Sequence, residues 1–319
     1  MPSSETKDQK DTNSGLLPRV LSALVMAPVA VAAVWFGAPY FDILLFIFCA
    51  GMMWEWSRMC APKYYNGISV VTAVALAVAM MMYATGQEEY MIMPVAIGVI
   101  IAAARSGRNW LLAGFGVLYI SLAALAALWL RTHEGDGLLI IMWLFFLVWA
   151  TDTGGYVFGK TIGGPKLAPL FSPKKTWAGL IGGMICAGII GGLVTYFSSA
   201  SVNWIIVGVS MVLAIVAQIG DLGESALKRR FEIKDSSGLI PGHGGLLDRA
   251  DGMLSVFPVA FAIICFAGPI PLLVVPIFSV LFESSLIPSN SLCIGKINVA
   301  FSAIYKFLFV IFIPNFLIC

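Results

Sequence analysis

The residues best suited to chemistry lie in one charge-rich stretch, residues 218–252, between two apolar segments. Asp248 and Asp251 are spaced i, i+3, so on a helix their carboxylates share a face, and Asp221 closes the preceding apolar segment. Three carboxylates at one end of a helical bundle make an oxygen-rich site for a hard divalent cation. Mg²⁺ is the natural candidate when the phosphates of a substrate complete its shell. The alternative is that each Asp only caps a helix or pairs with a neighbouring basic side chain.

A glycine-rich run, residues 241–245, lies just before the last two of these carboxylates. Gly244 and Gly245 leave backbone N–H groups free to approach an anion, as in loops that cradle phosphates. If a helix starts near Leu246, the run would also present the helix dipole to a phosphate. His243 is a candidate general base or phosphate donor, and a purely structural hydrogen bond is the alternative for it.

A second group of polar residues lies in and after the apolar segment at about residues 138–158. Asp152 and Tyr156 are in the segment, and Ser172–Thr176, with Lys174 and Lys175, follows it. Ammonium and hydroxyl donors in this number suit the binding of a triphosphate. Anchoring of the lysines to anionic lipid is the alternative. Asp152 lies deep enough in the segment to need a partner or water.

The composition determines which framework holds these groups. Sixty per cent of the residues are hydrophobic and 11% are charged, whereas about a quarter of the residues in soluble domains are charged. Because a transmembrane helix needs roughly 17–25 apolar residues, the sequence predicts an all-α, polytopic helical membrane protein with about 9–10 transmembrane helices. The predicted spans are 20–37, 40–57, 68–85, 90–104, 109–130, 138–158, 178–197 and 204–222, with a less regular apolar region from 253 onward.

The charges between the predicted spans indicate an orientation. Sixteen of the 19 Lys and Arg residues fall on one side of the predicted bundle, which the positive-inside rule assigns to the cytoplasm. We therefore expect a multi-pass protein of the inner (plasma) membrane, with its N-terminus and active site cytoplasmic. Residues 1–15 are predicted to be a disordered tail, residues 16–282 the membrane-embedded catalytic domain, and residues 283–319 an atypical extension without an assigned role.

Two further features concern packing. Glycines are frequent in and around the sixth and seventh spans and predict close contact between these helices. Glu55 lies near the end of the second span, where the sequence favours a buried ion pair with Arg58 or with one of the site lysines.

Three runs of residues resemble one enzyme family. The run from Ser225 to Asp251 reads Ser-Ala-Leu-Lys-Arg, four residues, then Lys-Asp-Ser-Ser-Gly-Leu-Ile-Pro-Gly-His-Gly-Gly-Leu-Leu-Asp-Arg-Ala-Asp. It closely resembles the signature of phosphatidate cytidylyltransferases, also called CDP-diacylglycerol synthases. The runs from Asp152 to Tyr156 and over Ser172–Thr176 are similar to other landmarks of that family, and the resemblance covers roughly residues 15–280.

The resemblance implies that the protein converts CTP and phosphatidic acid, at the membrane, into CDP-diacylglycerol and pyrophosphate with Mg²⁺. A second metal ion and a homodimer are left open, and no nucleic acid is expected as a partner. It implies that the metal-binding carboxylates are Asp221, Asp248 and Asp251, which with Lys228, Arg229 and His243 form the expected catalytic set. The expected substrate-binding residues are Asp152, Tyr156, Ser172, Lys174, Lys175, Thr176, Ser225, Lys234, Asp235, Gly244, Gly245 and Arg249.

The sequence departs from the family pattern in places, and other functions remain as alternatives. Ala178 stands where an acidic residue is usual, and Ala250 replaces a bulkier apolar residue. A CDP-alcohol phosphotransferase would need an Asp-Gly-x-x-Ala-Arg core, but Met-Leu-Ser-Val follows Asp251-Gly252. A lipid kinase that uses CTP is closer in chemistry. A transporter would place its charges near the bilayer midplane, whereas here they gather at one interface.

Overall fold

The computed structural model describes residues 25–133, 136–239 and 244–266. The predicted tail (1–15), His243 and the C-terminal region 268–319 lie outside the described residues. The described chain forms a helical bundle with one short hairpin. Its elements are α1 (Val25–Phe36), α2 (Tyr40–Cys60), α3 (Tyr65–Ala84), α4 (Ile92–Arg105), α5 (Trp110–Thr132), α6 (Gly137–Thr161), β1 (Lys166–Ala168), β2 (Ser172–Thr176), α7 (Trp177–Ser199), α8 (Trp204–Arg230) and α9 (Leu247–Phe266).

Seven of the helices are long and apolar enough to cross a membrane: α2, α3, α5, α6, α7, α8 and α9. The described part of α1 and the 14-residue α4 are shorter. This arrangement confirms the predicted fold class, an all-α protein with several membrane spans. Within the described residues, the predicted span boundaries lie close to the helix ends except at the end of α8.

In the charge-rich stretch the helices extend beyond the apolar sequence. Helix α8 continues past residue 222 to Arg230, and α9 begins at Leu247, next to the start near Leu246 that the sequence suggests and ahead of the apolar region from 253. The extension of α8 still has an inward face, because Glu224 and Leu227 are buried. Hydropathy therefore locates the end of the apolar part of α8, whereas the helix itself continues with polar residues.

Glycine allows the close contact between α6 and α7 that the sequence predicts. A Cβ atom on Gly179 would lie 2.6 Å from the backbone oxygen of Gly155, and one on Gly183 would lie 2.8 Å from that of Thr151. Such separations are too short for carbon and oxygen, so any larger residue would push the helices apart. This contact brings Asp152 on α6 near the start of α7.

The hairpin of β1 and β2 is a feature that the sequence did not predict. Its strands are antiparallel, with Lys166 opposite Thr176. Thr176 is buried and caps α7, since its Oγ1 accepts a hydrogen bond of 3.1 Å from the Gly179 amide. Lys174 and Lys175 are therefore held on a short, paired strand directly before α7.

The functional helix ends meet at one end of the bundle. Lys175 contacts Asp221 on α8, and Lys228 on α8 contacts Asp248 on α9. The amide of Leu247 at the start of α9 reaches Glu55 near the end of α2. The polar residues thus gather at one interface, as the loop charges predict, while the assignment of this side to the cytoplasm stays a prediction.

Candidate active site

A polar cavity of about 390 Å³ lies where α6, β2, α7, α8 and α9 meet. Ten of the site residues predicted from the sequence line it: Asp152, Tyr156, Ser172, Lys174, Lys175, Thr176, Asp221, Asp248, Arg249 and Asp251. The cavity walls therefore combine residues from both polar groups of the sequence.

The direct link between the two groups is an ion pair. Lys175 Nζ lies 2.5 Å from Asp221 Oδ2, and Ser225 Oγ lies 3.4 Å from Asp221 Oδ1. The Lys175 and Asp221 side chains are 18% and 32% exposed and both line the cavity, while the Lys175 Nζ atom itself is buried. A polyphosphate that enters here would meet an ammonium group that is already positioned.

The carboxylate of Asp248 is fully engaged by protein donors. Lys228 Nζ lies 2.6 Å from Oδ1. Oδ2 accepts hydrogen bonds from the Gly245 amide at 2.8 Å and from the Ser236 amide and hydroxyl at 3.0 Å each. This carboxylate, in the first turn of α9, thus joins α8, Ser236 and Gly245.

Three carboxylates are less engaged and act on one another across the cavity. Asp251 is within electrostatic range of Asp221 and Asp152, and Asp152 is within range of Lys175 and Arg249. Asp251 Oδ1 also accepts a hydrogen bond of 2.7 Å from the Gly252 amide. Carboxylates held this close repel one another unless cations are nearby.

The donor set can be compared with what Mg²⁺ requires. Within the described ranges, no three His, Cys, Asp or Glu side chains are grouped closely enough to enclose a metal ion. Mg²⁺ usually binds through one or two carboxylates, with water and substrate phosphates as its other ligands. Asp221 and Asp251 line the same cavity and fit that pattern. Asp248 fits it less well because protein donors already occupy both of its oxygens.

Several predicted site residues do not line the cavity. Arg229, Lys234 and Asp235 are exposed outside it. Lys228 does not line the cavity either, and its ammonium group forms ion pairs with Asp248 and Glu224. His243 lies outside the described residues.

The two predicted glycines have local structural roles. Gly244 has a φ of +84°, which favours glycine. Gly245 is buried, and a Cβ atom on it would overlap Ser236 Oγ. Their assignment to phosphate binding stays a prediction.

Two buried acidic residues were not predicted as part of the site. The expected ion pair of Glu55 is wrong: Glu55 is in none of the ion pairs of the described chain, and Arg58 lies over the Trp54 ring. Glu224 is buried, with Oε1 3.1 Å from Lys228 Nζ. Acidic residues inside otherwise apolar helices are the sequence signal that points to such positions.

An apolar cavity of about 230 Å³ adjoins the polar one. It lies among α1, α2, α5, α6 and α9 and is lined mainly by Met, Phe, Leu and Ala side chains. The two cavities share Trp149, Asp152, Asp248, Arg249 and Asp251. A ligand with a charged head and an apolar tail could therefore occupy both, with its head at the shared residues.

Comparisons with known proteins agree with this geometry. Residues 17–267 match the model of the "Cytidylyltransferase family". The chain is 36% identical over 249 residues to a phosphatidate cytidylyltransferase of Brucella suis biovar 1 (strain 1330), covering 76% of this chain and 90% of that protein. It is 32% identical over 249 residues to a phosphatidate cytidylyltransferase of Staphylococcus aureus (strain COL), covering 76% of this chain and 96% of that protein.

Proposed function

Because the chain belongs to the cytidylyltransferase family, we propose that it is a phosphatidate cytidylyltransferase, which makes CDP-diacylglycerol and pyrophosphate from CTP and phosphatidate. The observation that carries the proposal is the junction of a polar and an apolar cavity at Asp152, Arg249 and Asp251. A water-soluble nucleotide and a membrane lipid must meet at one point, and the junction provides such a point.

The reaction is a substitution at phosphorus. A phosphate oxygen of phosphatidate forms a bond to the α-phosphorus of CTP, and the bond from that phosphorus to the bridging oxygen of pyrophosphate breaks. The attacking phosphate is already anionic, so the protein mainly has to position two anions and offset their repulsion. No covalent intermediate on the protein is required.

The basic residues provide that positioning. Lys174 and Lys175 stand at the polar side of the cavity, where they would bind the triphosphate as point charges. Arg249 lines both cavities, so its guanidinium is the group best placed to hold the phosphate of the lipid. The apolar cavity would accept the part of the acyl chains nearest the glycerol.

For Mg²⁺, we propose Asp221 and Asp251 as the main carboxylate ligands. When bound, the ion would neutralise charge that develops on the phosphate oxygens. Asp152, which lines the same cavity, would help to retain the hydrated ion. Asp248 as a third ligand and a second metal ion stay predictions.

We further propose that the protein lies in the inner membrane with its site open to the cytoplasm. CTP is a cytoplasmic nucleotide, and the basic loops favour that side. The homodimer also stays a prediction.

A direct assay tests the function. Purified protein in nanodiscs is given CTP labelled at the α-phosphorus and phosphatidate, with and without Mg²⁺. Labelled CDP-diacylglycerol and an equal amount of pyrophosphate are expected, with Mg²⁺ required. Absence of this product with CTP binding also absent would overturn the proposal. Transfer of the γ-phosphate of CTP to diacylglycerol would instead identify a lipid kinase.

A further inference from the structure

Glu55 is a buried carboxylate near the C-terminal end of α2. Its side chain is 0% exposed, and it belongs to none of the ion pairs within the described chain. A buried anion without a counter-charge is costly unless hydrogen bonds replace its hydration. The donors around Glu55 therefore indicate what the residue is for.

Four donors meet the carboxylate, and each oxygen receives two of them. Oε1 accepts hydrogen bonds from the Leu246 amide at 2.8 Å and the Ser237 hydroxyl at 2.5 Å. Oε2 accepts them from the Leu247 amide at 2.8 Å and the Ser236 hydroxyl at 3.1 Å. One side chain of α2 thus binds the chain on both sides of residues 240–243.

The two amides belong to the start of α9, where backbone N–H groups lack partners within the helix. A carboxylate here satisfies them and also interacts favourably with the positive end of the helix dipole. Glu55 therefore caps α9 from a different helix, far away in sequence. The cap holds the turn that carries Asp248, Arg249 and Asp251.

Packing shows that this contact is tightly built. A Cβ atom on Gly245 would lie 2.6 Å from Glu55 Oε1 and would overlap Ser236 Oγ. The Ser236 hydroxyl lies between two carboxylates, 3.1 Å from Glu55 Oε2 and 3.0 Å from Asp248 Oδ2, and shares its single proton between them. Asp248 in turn contacts Lys228 on α8, so the network joins α2, α8 and α9 beside the cavity.

We propose that Glu55 is a positioning residue: by capping α9 from α2, it fixes where Arg249 and Asp251 stand in the cavity. Glu55 does not line either cavity, so it acts through the backbone of residues 246–247. The consequence for turnover rests on the proposed cytidylyltransferase function, whereas the structural contact does not.

The test uses Glu55→Gln in the full-length protein in nanodiscs. An amide has one oxygen, so in either orientation its NH₂ group faces one α9 amide, donor against donor. The kcat of cytidylyl transfer should fall about tenfold or more from the displacement of reacting groups, with a smaller change in the KM for CTP. Hydrogen exchange should become faster in residues 244–250 and stay unchanged in α3 and α4.

Two further variants keep the test decisive. Asp42→Asn removes an acidic group at the other end of the same helix and should leave both readouts at wild-type values. Ser237→Ala removes one donor and should lower kcat in the same direction but less; this variant decides the matter if Glu55→Gln does not fold.

Unchanged exchange in 244–250, or an unchanged kcat in folded Glu55→Gln, would overturn the positioning role. The positioning role would also be overturned if Glu55→Gln had a lower melting temperature but a normal kcat below it. That result is expected of a purely structural residue. Wild-type protein without cytidylyl transfer would overturn the proposed function instead, and the exchange comparison would still test the cap.

Discussion

At the scale of single residues, Asp248 and Asp251 are neighbours on one helix face with different surroundings. Protein donors occupy both oxygens of Asp248, including Lys228 Nζ at 2.6 Å. Asp251 instead lines the polar cavity together with Asp152 and Asp221. Although Asp248 and Asp251 share one helix face, Asp248 therefore holds the protein together whereas Asp251 is available to a ligand in the cavity.

Asp251→Asn and Asp248→Asn are both expected to abolish turnover, for different reasons. Asp251→Asn should lower kcat/KM by about 100-fold or more, because a carboxylate that offsets charge at the reacting phosphates is lost. It should also raise the Mg²⁺ concentration needed for half-maximal rate. Asp248→Asn should lower the rate without that rise, since it mainly releases Lys228 and the Ser236 amide.

Titration of activity with Mg²⁺ in both variants, with folding checked by size-exclusion chromatography in detergent, separates these cases. An equal rise in the Mg²⁺ requirement for both variants would place Asp248 among the metal ligands, as the sequence predicts.

Lys175→Ala is expected to raise the KM for CTP more than the KM for phosphatidate. Lys175 borders the polar cavity only, and its removal also leaves Asp221 without its partner at 2.5 Å. Steady-state kinetics with each substrate varied in turn measures the two constants. Lys166→Ala is a matched control, since Lys166 is an exposed lysine of the same hairpin outside the cavity. A larger change in the phosphatidate KM would reassign Lys175 to the lipid.

At the scale of elements, the contact between α6 and α7 determines whether the two polar groups meet. Gly179→Ala should destabilise the protein by about 1–3 kcal/mol, the usual cost of overpacking, because the new methyl would lie 2.6 Å from the Gly155 oxygen. Thermal unfolding in detergent measures the effect.

Gly208→Ala is the matched control for Gly179→Ala. It is also a helical glycine, but a Cβ atom there has no neighbour within 4 Å. It should leave stability unchanged or raise it slightly, because alanine favours helix over glycine. Equal melting temperatures for the two variants would show that the helices can separate without cost.

At the scale of the whole molecule, the bundle has two chemically different ends. One end holds the cavity and most of the basic side chains of the described residues. At the other end, Arg131 Nε donates a hydrogen bond of 2.8 Å to the Val34 oxygen, and the chain turns through residues 200–203 between α7 and α8. The proposed orientation assigns these ends to opposite sides of the membrane.

Single cysteines in a background without native cysteines test that orientation. Arg230→Cys, at the exposed end of α8, should react with a membrane-impermeant thiol reagent in inside-out vesicles and not in intact cells. Ser201→Cys, exposed between α7 and α8, should show the opposite pattern. Labelling of both from the same side would contradict the orientation and the number of crossings between them.

Much of the site could be predicted from the sequence because charge is rare and costly in membrane helices. Asp152, Lys175 and Asp251 were expected in one site on that basis, and they line one cavity. Glu55 was expected in an ion pair, and its true partners lie in residues 236–247. No local pattern links positions so far apart.

Sequence patterns alone were enough to predict the class of the protein, most of its helices, and the carboxylates, lysines and glycines of the charge-rich runs. Composition, hydropathy and local spacing suffice for these, since each depends on residues close together in the chain. The packing of distant helices shows that Asp248 is held by Lys228, Ser236 and Gly245, that Asp251 lines the cavity, and that Glu55 caps α9. The environment of each carboxylate is set by helices that are distant in sequence, and their packing determines which charges meet a ligand and which meet the protein.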